Sequence, residues 1–131
     1  MRPGGAPYVA VVGRGGVLQG ERRSLLAGAV LVVGRSRSCD LSLRRTRAFR
    51  TAERPAELLG AEPMRRVSRV HCEIGYLPDG RIEIRDLSQN GTYVDGRRID
   101  RSHVVEPGAA PVTVVLADVE NGALEVGFGS D

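Results

Sequence analysis

Apolar and polar residues alternate most regularly in the middle of the chain. Across residues 81–87, Ile82 and Ile84 fall on one face of a strand and charged residues fall on the other. A second strand over 71–77 precedes this one across a short Pro- and Gly-containing turn. Asn90-Gly91 follows it and predicts a tight turn, because both residue types tolerate a positive φ. The pattern indicates antiparallel strands joined by short polar loops.

Similar short runs, rich in β-branched residues and bounded by glycines, occur along most of the chain. They predict further strands over residues 8–12, 21–26, 30–33, 40–43, 92–94, 97–99, 112–116 and 123–128. About ten short strands at regular spacing are typical of an all-β sandwich. At 131 residues the chain is expected to form a single domain over 1–131, with its core over about 8–128.

Residues 44–64 do not fit the strand pattern. The segment is rich in Ala, Leu and Glu, which favour a helix. Pro55 restricts a helix to one side of itself or takes a place in its first turn. Gly60 and Pro63 then close the segment. The sequence therefore predicts an inserted loop over 44–64 that contains one short helical turn.

The charge of the chain is concentrated around this insertion. All 19 basic residues are arginines, and 16 acidic residues leave a formal net charge of +3. Residues 37–69 alone hold nine arginines and four acidic residues, a local balance of +5. Codon bias in a GC-rich genome explains the use of arginine in general. A need for forked guanidinium donors that grip phosphate or carboxylate explains it at particular positions, and both explanations stay open.

Several function classes find no support in the sequence. No apolar run approaches the roughly 18 residues of a membrane span, and no signal-peptide-like segment follows the N-terminus. Cys39 and Cys72 lack the spacing of a zinc site, so we expect buried free thiols, no bound metal and a cytoplasmic location.

Three short motifs occur in a fixed order: Gly34-Arg35, then Ser68-Arg69-Val70-His71, then Asn90-Gly91. With the strands between them and the Val94-Asp95-Gly96 that follows, they resemble the signature of the forkhead-associated (FHA) domain family. The resemblance implies an eleven-stranded β-sandwich of the FHA/SMAD-like type. It also implies a module that binds phosphothreonine in partner proteins through loops at one end, without catalytic activity or a cofactor.

The resemblance assigns roles to individual residues. Arg35 and Ser68 are expected to contact the phosphate, and Asn90 is expected to contact the peptide main chain. A phosphothreonine carries a charge of about −1.5 to −2 and three acceptor oxygens, which suits a planar Arg fork and a short hydroxyl donor. Backbone N–H groups beside Ser68 are expected to be free for the same phosphate, because a loop residue lacks ladder partners.

The remaining motif residues receive supporting roles. Gln89 stands where the family often has a phosphate-binding Ser or Thr, and we expect it to help bind phosphate together with Arg69. Arg66 is a candidate for selecting neighbouring side chains of the peptide. By resemblance the scaffold of the site consists of Gly34, His71 and Gly91.

The main departure from the family is the length of the insertion. Here 27 residues separate Asp40 from Ser68, roughly twice the family's usual number. The insertion is either a solvated loop without a function or an element beside the site that selects acidic partners.

The sequence therefore predicts a phosphothreonine-dependent peptide-binding module in Ser/Thr kinase signalling. Its expected partner is a Thr-phosphorylated protein or peptide, either a Ser/Thr kinase or a kinase substrate. A phospho-independent interaction or oligomerisation domain is the alternative. Nucleic acid is not the expected partner, because aromatic residues make up only 4% of the chain and the insertion offers only Phe49 for stacking on bases.

Overall fold

The computed structural model of the protein describes residues 5–130, and two β-sheets pack face to face within them. The six-stranded sheet has the order β2-β1-β11-β10-β7-β8. Its strands are β1 Val9–Arg14, β2 Arg22–Leu25, β7 Thr92–Val94, β8 Arg97–Arg98, β10 Val112–Leu116 and β11 Ala123–Phe128.

The five-stranded sheet has the order β4-β3-β5-β6-β9. Its strands are β3 Val30–Gly34, β4 Leu41–Ser42, β5 Cys72–Tyr76, β6 Ile82–Asp86 and β9 Ser102–Val105. Strand β4 runs parallel to β3, and the β3–β5, β5–β6 and β6–β9 pairs are antiparallel. The two sheets confirm the predicted β-sandwich and its eleven strands.

The sequence pattern missed strand β9, which forms the edge of the five-stranded sheet beside β6. Three of its four residues are exposed and only Val105 is buried. An edge strand with one face in solvent and the other barely covered carries little apolar alternation, which is why the pattern gave no signal.

The core lies between the two sheets and follows the predicted alternation. Ile82 and Ile84 are both 0% exposed, while Glu83 and Arg85 on the same strand face outward. Ile74 on β5 lies opposite Ile84 in register, and Leu124 and Val126 extend the core from the other sheet. This core fixes the positions of the loops at both ends of the sandwich.

The inserted segment is more ordered than the single helical turn that the sequence predicts. After a 3₁₀ turn at Leu43–Arg45 it forms three short helices: α1 Arg47–Thr51, α2 Pro55–Gly60 and α3 Glu62–Arg65. The Thr46 hydroxyl caps α1 by accepting a hydrogen bond from the Phe49 N–H at 3.2 Å. Pro55 occupies the first turn of α2, where its missing N–H costs nothing.

Buried contacts fasten the insertion to the sandwich. Leu43 and Met64 are 0% and 2% exposed and belong to the common core. The buried Glu21 carboxylate accepts a hydrogen bond from the Arg47 N–H at 2.9 Å. The Asn121 side-chain amide donates to the carbonyl of Pro63 at 2.8 Å and to that of Leu116 at 3.1 Å. The insertion is therefore held on both sides by side chains that are distant in sequence.

Both cysteines are free thiols and both are buried. Desolvation raises the pKa of Cys39 and of Cys72 above the ordinary thiol range. Among residues 5–130, no helix has the length and apolar character needed to cross a membrane.

Replacing Asn121 by Ala should destabilise the fold through the insertion. The substitution leaves two carbonyl groups without their donor, and an unmet buried hydrogen bond costs about 1–3 kcal/mol. We expect a loss of that size in the free energy of unfolding, measured by urea denaturation. Glu120→Ala, at the exposed neighbouring position, is the matched control and should change stability little. Equal stability of the two variants would contradict the anchoring role of Asn121.

Candidate functional site

Three loops meet at one end of the sandwich and enclose a cleft of about 560 Å³, here called the main cleft. One wall comes from Arg35 at the end of β3, and a second comes from the 65–70 segment that follows α3. The third is the β6–β7 loop over 87–90. The cleft brings together all the residues for which the sequence predicts ligand contact: Arg35, Arg66, Ser68, Arg69, Gln89 and Asn90.

Backbone hydrogen bonds hold Arg35 next to Ser68. The Arg35 N–H donates to the Ser68 carbonyl at 3.0 Å, and the Ser36 N–H donates to the Arg69 carbonyl at 2.9 Å. Gly34 makes this approach possible, because a Cβ atom there would lie 2.2 Å from the Arg69 carbonyl oxygen. A side chain at position 34 would therefore separate the first two walls of the cleft.

The Ser68 hydroxyl connects the second and third walls. Its oxygen accepts a hydrogen bond from the Gln89 N–H at 3.1 Å. Within the described chain the hydroxyl hydrogen has no acceptor of its own, so Ser68 can still donate to a ligand in the cleft.

His71 lies directly behind the cleft with no exposed surface. Its Nδ1 accepts a hydrogen bond from the Ser68 N–H at 3.1 Å, and its Nε2 lies 2.8 Å from the Gly91 carbonyl. Because Nδ1 accepts, the proton of the neutral ring resides on Nε2, which donates to Gly91. One imidazole thus joins the Ser68 segment to the β6–β7 loop.

The same bond decides which backbone N–H groups around Ser68 are free. The Ser68 N–H is not free for a ligand, because His71 already accepts its hydrogen bond, and the Gln89 N–H is taken by Ser68. The N–H of Arg69 takes part in no backbone hydrogen bond of residues 5–130. The N–H groups of Val70 and Asn90, which also line the main cleft, take part in none either, so backbone donation to a ligand can come from these three residues rather than from Ser68.

Asn90 is partly engaged within the fold. Its side-chain amide donates to the Arg66 carbonyl at 2.8 Å, which ties the β6–β7 loop to the lead-in of the Ser68 segment. The Arg66 guanidinium, about half exposed, lies 3.8 Å from the Asp118 carboxylate, and a long ion pair of this kind contributes little to stability. Arg66 is therefore free to exchange this partner for another anion.

Two residues that organise the third wall escaped the sequence analysis. The Asp86 carboxylate accepts hydrogen bonds from Ser88 N–H at 3.0 Å, Ser88 Oγ at 2.6 Å and Thr92 Oγ1 at 2.9 Å. Arg98 donates to the Gln89 carbonyl at 3.3 Å. The Asp-x-Ser spacing is a turn signal that could have revealed Asp86, whereas nothing local in the sequence points to Arg98.

Gly91 ends the third wall in a conformation that favours glycine. Its φ is 100°, and a Cβ atom there would lie 2.8 Å from the Arg98 side chain. In this conformation the Gly91 carbonyl faces His71, and the Gly91 N–H donates to Ser88 Oγ at 2.8 Å.

Burial and hydrogen bonding shift two pKa values behind the cleft. Desolvation lowers the pKa of His71 below its ordinary value, although the Gly91 carbonyl and the negative charge of Asp86 oppose the shift. For Asp86, partial burial alone would raise the pKa, but the hydrogen bonds from Ser88 and Thr92 outweigh it and hold the pKa below the ordinary value. The resting pair is thus a neutral imidazole beside an ionised carboxylate.

Comparisons with known proteins agree on the fold. The FHA domain family model matches residues 31–110. No curated protein matches the chain significantly. Among solved structures, the FHA domain of CT664 from Chlamydia trachomatis has a TM-score of 0.64 at 21% identity, over 95% of this chain and 97% of that one.

Two further structures are similar to the same extent. The Rv1747 FHA-1 domain from Mycobacterium tuberculosis has a TM-score of 0.62 at 22% identity, over 95% of this chain and 98% of that one. The N-terminal FHA domain of Rad53p from S. cerevisiae has a TM-score of 0.60 at 20% identity, over 93% and 94%. The Rad53p domain was solved in complex with a phosphothreonine peptide.

The lowered pKa of His71 predicts a pH-dependent stability. Between the unfolded-state value of about 6.5 and the lower native value, the unfolded chain binds a proton that the native chain does not. The stability that the neutral imidazole contributes should therefore be fully present above the unfolded-state value of about 6.5 and should decrease as the pH falls below it. Denaturation curves at a series of pH values measure this.

Two variants assign that pH dependence to its source. His71→Gln should be less stable at pH 7 and should lose the decrease in stability that begins below about pH 6.5. His103→Ala, on the exposed edge strand β9, should keep the slope of the parent chain. A slope that survives in His71→Gln would show that another group is responsible.

Proposed function

The chain belongs to the forkhead-associated (FHA) domain family, and we propose that it binds phosphothreonine-containing segments of partner proteins in the main cleft. The observation that carries this proposal is the position of Arg35 and Ser68 on adjoining walls of that cleft. Within residues 5–130 the Arg35 guanidinium has no acidic partner, and the Ser68 hydroxyl still has a hydrogen to donate. The phosphothreonine peptide bound by the Rad53p relative supports the same ligand class.

Capture of the phosphate begins with charge. A phosphothreonine dianion is bound best by a cation and hydrogen-bond donors that are already in position, because moving them on binding would cost free energy. Arg35 supplies a planar fork on a strand end that backbone hydrogen bonds hold in place. Ser68 adds a short O–H donor, and Arg69 and Gln89 lie within the same cleft to complete the set.

Asn90 registers the main chain of the peptide. Its amide nitrogen donates one hydrogen to the Arg66 carbonyl, and its carbonyl oxygen is available to accept from a peptide N–H. Arg66, on the opposite wall, reads acidic side chains near the phosphothreonine by leaving its loose pair with Asp118. The scaffold residues Gly34, His71 and Gly91 do not touch the ligand in this scheme but keep the three walls together.

The resulting module binds and does not catalyse. It requires no cofactor, and its partners are proteins phosphorylated by a Ser/Thr kinase, or the kinase itself, in the cytoplasm. Among the described residues no group of three His, Cys, Asp or Glu side chains is arranged to hold a metal ion.

Matched peptides with and without the phosphate test the proposal. Isothermal titration calorimetry should give a dissociation constant on the order of micromolar for the phosphothreonine peptide, about −8 kcal/mol. Removing the phosphate should abolish most of the affinity, because Arg35 and Ser68 then have no anion to bind. Equal affinities for the two peptides would refute the requirement for phosphate.

Substitutions locate the site. Arg35→Ala should lose phosphopeptide binding while its circular dichroism spectrum stays that of the parent chain. Arg81→Ala removes the same charge from the β5–β6 turn, at the other end of β6, and should bind normally. Full binding by Arg35→Ala and by Ser68→Ala would favour instead a phospho-independent interaction or oligomerisation domain.

A further inference from the structure

A second cleft of about 490 Å³ adjoins the main cleft. Its walls are Arg35, Ser36, Arg37, Arg44, Leu59 and Arg69. Arg35 and Arg69 line both clefts, so the two share a boundary formed by these side chains. The proposed phosphothreonine site does not use Arg37, Arg44 or Leu59.

The second cleft has an uncompensated positive charge. Four arginines line it and no carboxylate does. In the part of the chain that the structure describes, none of these four guanidinium groups forms an ion pair or donates a hydrogen bond. Like charges gathered around one cavity repel one another, and an anion placed among them relieves that repulsion.

Three other arginines of the insertion do find acceptors within the fold. Arg54 pairs with Glu57 at 3.3 Å, Arg45 donates to the Cys39 carbonyl at 2.5 Å, and Arg50 donates to the Arg45 carbonyl. By contrast, the Nε atom of Arg44 is buried and has no hydrogen-bond partner. A buried charged donor without an acceptor is unfavourable, and an oxyanion in the cleft would supply acceptors for this guanidinium.

Ordered parts of the insertion position these side chains. Arg44 lies in the 3₁₀ turn that begins after Ser42, and the Ser42 hydroxyl accepts a hydrogen bond from the Arg44 N–H at 3.2 Å. Leu43, beside Arg44, is fully buried in the core. Leu59 comes from α2 and gives the cleft one apolar wall. Ordered parts of the insertion therefore supply one side of the cleft.

We propose that the second cleft binds a second anionic group, a phosphate or an acidic side chain, on the same peptide whose phosphothreonine occupies the main cleft. This inference rests on the proposed function, because the shared arginines make the two clefts subsites of one binding surface. A phosphate has more charge and more acceptor oxygens than a carboxylate, so four unpaired Arg forks favour a doubly phosphorylated segment.

A peptide series tests this by fluorescence anisotropy. One neutral scaffold contains a single phosphothreonine, and its derivatives contain a second phosphothreonine, or a glutamate, two to five residues away on either side. At the best spacing, the second phosphate should strengthen binding about tenfold or more, as expected for one charge-assisted hydrogen-bonding group. A matching gain from glutamate would identify the carboxylate as sufficient, and a gain from phosphate alone would identify phosphate as required.

Paired variants separate a specific subsite from general attraction. Arg37→Ala/Arg44→Ala should lose the gain from the second anionic group and still bind the singly phosphorylated peptide within about twofold, which also shows that it is folded. Arg37→Ala alone, at an exposed position, should lose part of the gain. The control Arg47→Ala/Arg54→Ala removes two charges from the same insertion outside both clefts and should keep the full gain.

Four results would overturn the inference. Two concern the gain in affinity from the second anionic group: its absence at every spacing, and its persistence in Arg37→Ala/Arg44→Ala. The third is an equal loss of that gain in the control Arg47→Ala/Arg54→Ala. The fourth is a single-stranded oligonucleotide that binds more tightly than the peptides and depends on Arg37 and Arg44. If the singly phosphorylated peptide binds but a second anion adds nothing, this inference alone fails. If the singly phosphorylated peptide does not bind at all, the proposed function fails and this inference fails with it.

Discussion

The buried imidazole of His71 is the interaction on which the binding end of this sandwich depends. It accepts from the Ser68 N–H and donates to the Gly91 carbonyl, so one side chain sets the distance between two loops that belong to different parts of the chain. Both bonds require a neutral ring with its proton on Nε2, and burial favours that form by lowering the pKa. Ser68 Oγ also accepts a hydrogen bond from the Gln89 N–H, so displacement of the imidazole would loosen both the Ser68 segment and the β6–β7 loop.

A close backbone contact joins the wall formed by Arg35 to these two loops. Gly34 lets β3 approach the Arg69 carbonyl so closely that a methyl group would not fit. Arg35 is the next residue, and a backbone hydrogen bond to the Ser68 carbonyl fixes the position of its main chain. The rigid part of the site is thus made of small or buried groups, and only the side chains that would meet a ligand project into the cleft. Such a division limits the conformational entropy that binding has to overcome.

The sequence predicts the features that depend on local patterns better than those that depend on contacts between residues distant in the chain. Strands β5 and β6 followed from alternation because each has one face against the core, whereas β9 has hardly any buried face and gave no signal. The three motifs identified the residues that line the main cleft, since motif order reflects loop order. The hydrogen bond that occupies the Ser68 N–H could not be read from spacing, because it depends on where His71 lies in the folded core. The helices of the insertion were underestimated because Glu21 and Asn121, far away in sequence, hold them in place.

The insertion also changes how the charge of the chain should be understood. Residues 37–69 have an excess of five positive charges. In a solvated loop these side chains would move apart, and counterions would screen them within a Debye length of about 8–10 Å. Here Leu43 and Met64 fasten the segment to the core, so part of that excess is held around a cleft that already borders Arg35. Arginine suits this arrangement better than lysine, because a planar fork keeps its donors aligned on an oxyanion. Without a ligand, the arginines around this cleft repel one another, and an anionic ligand would relieve that repulsion. The fold of the insertion therefore affects which ligands bind tightly.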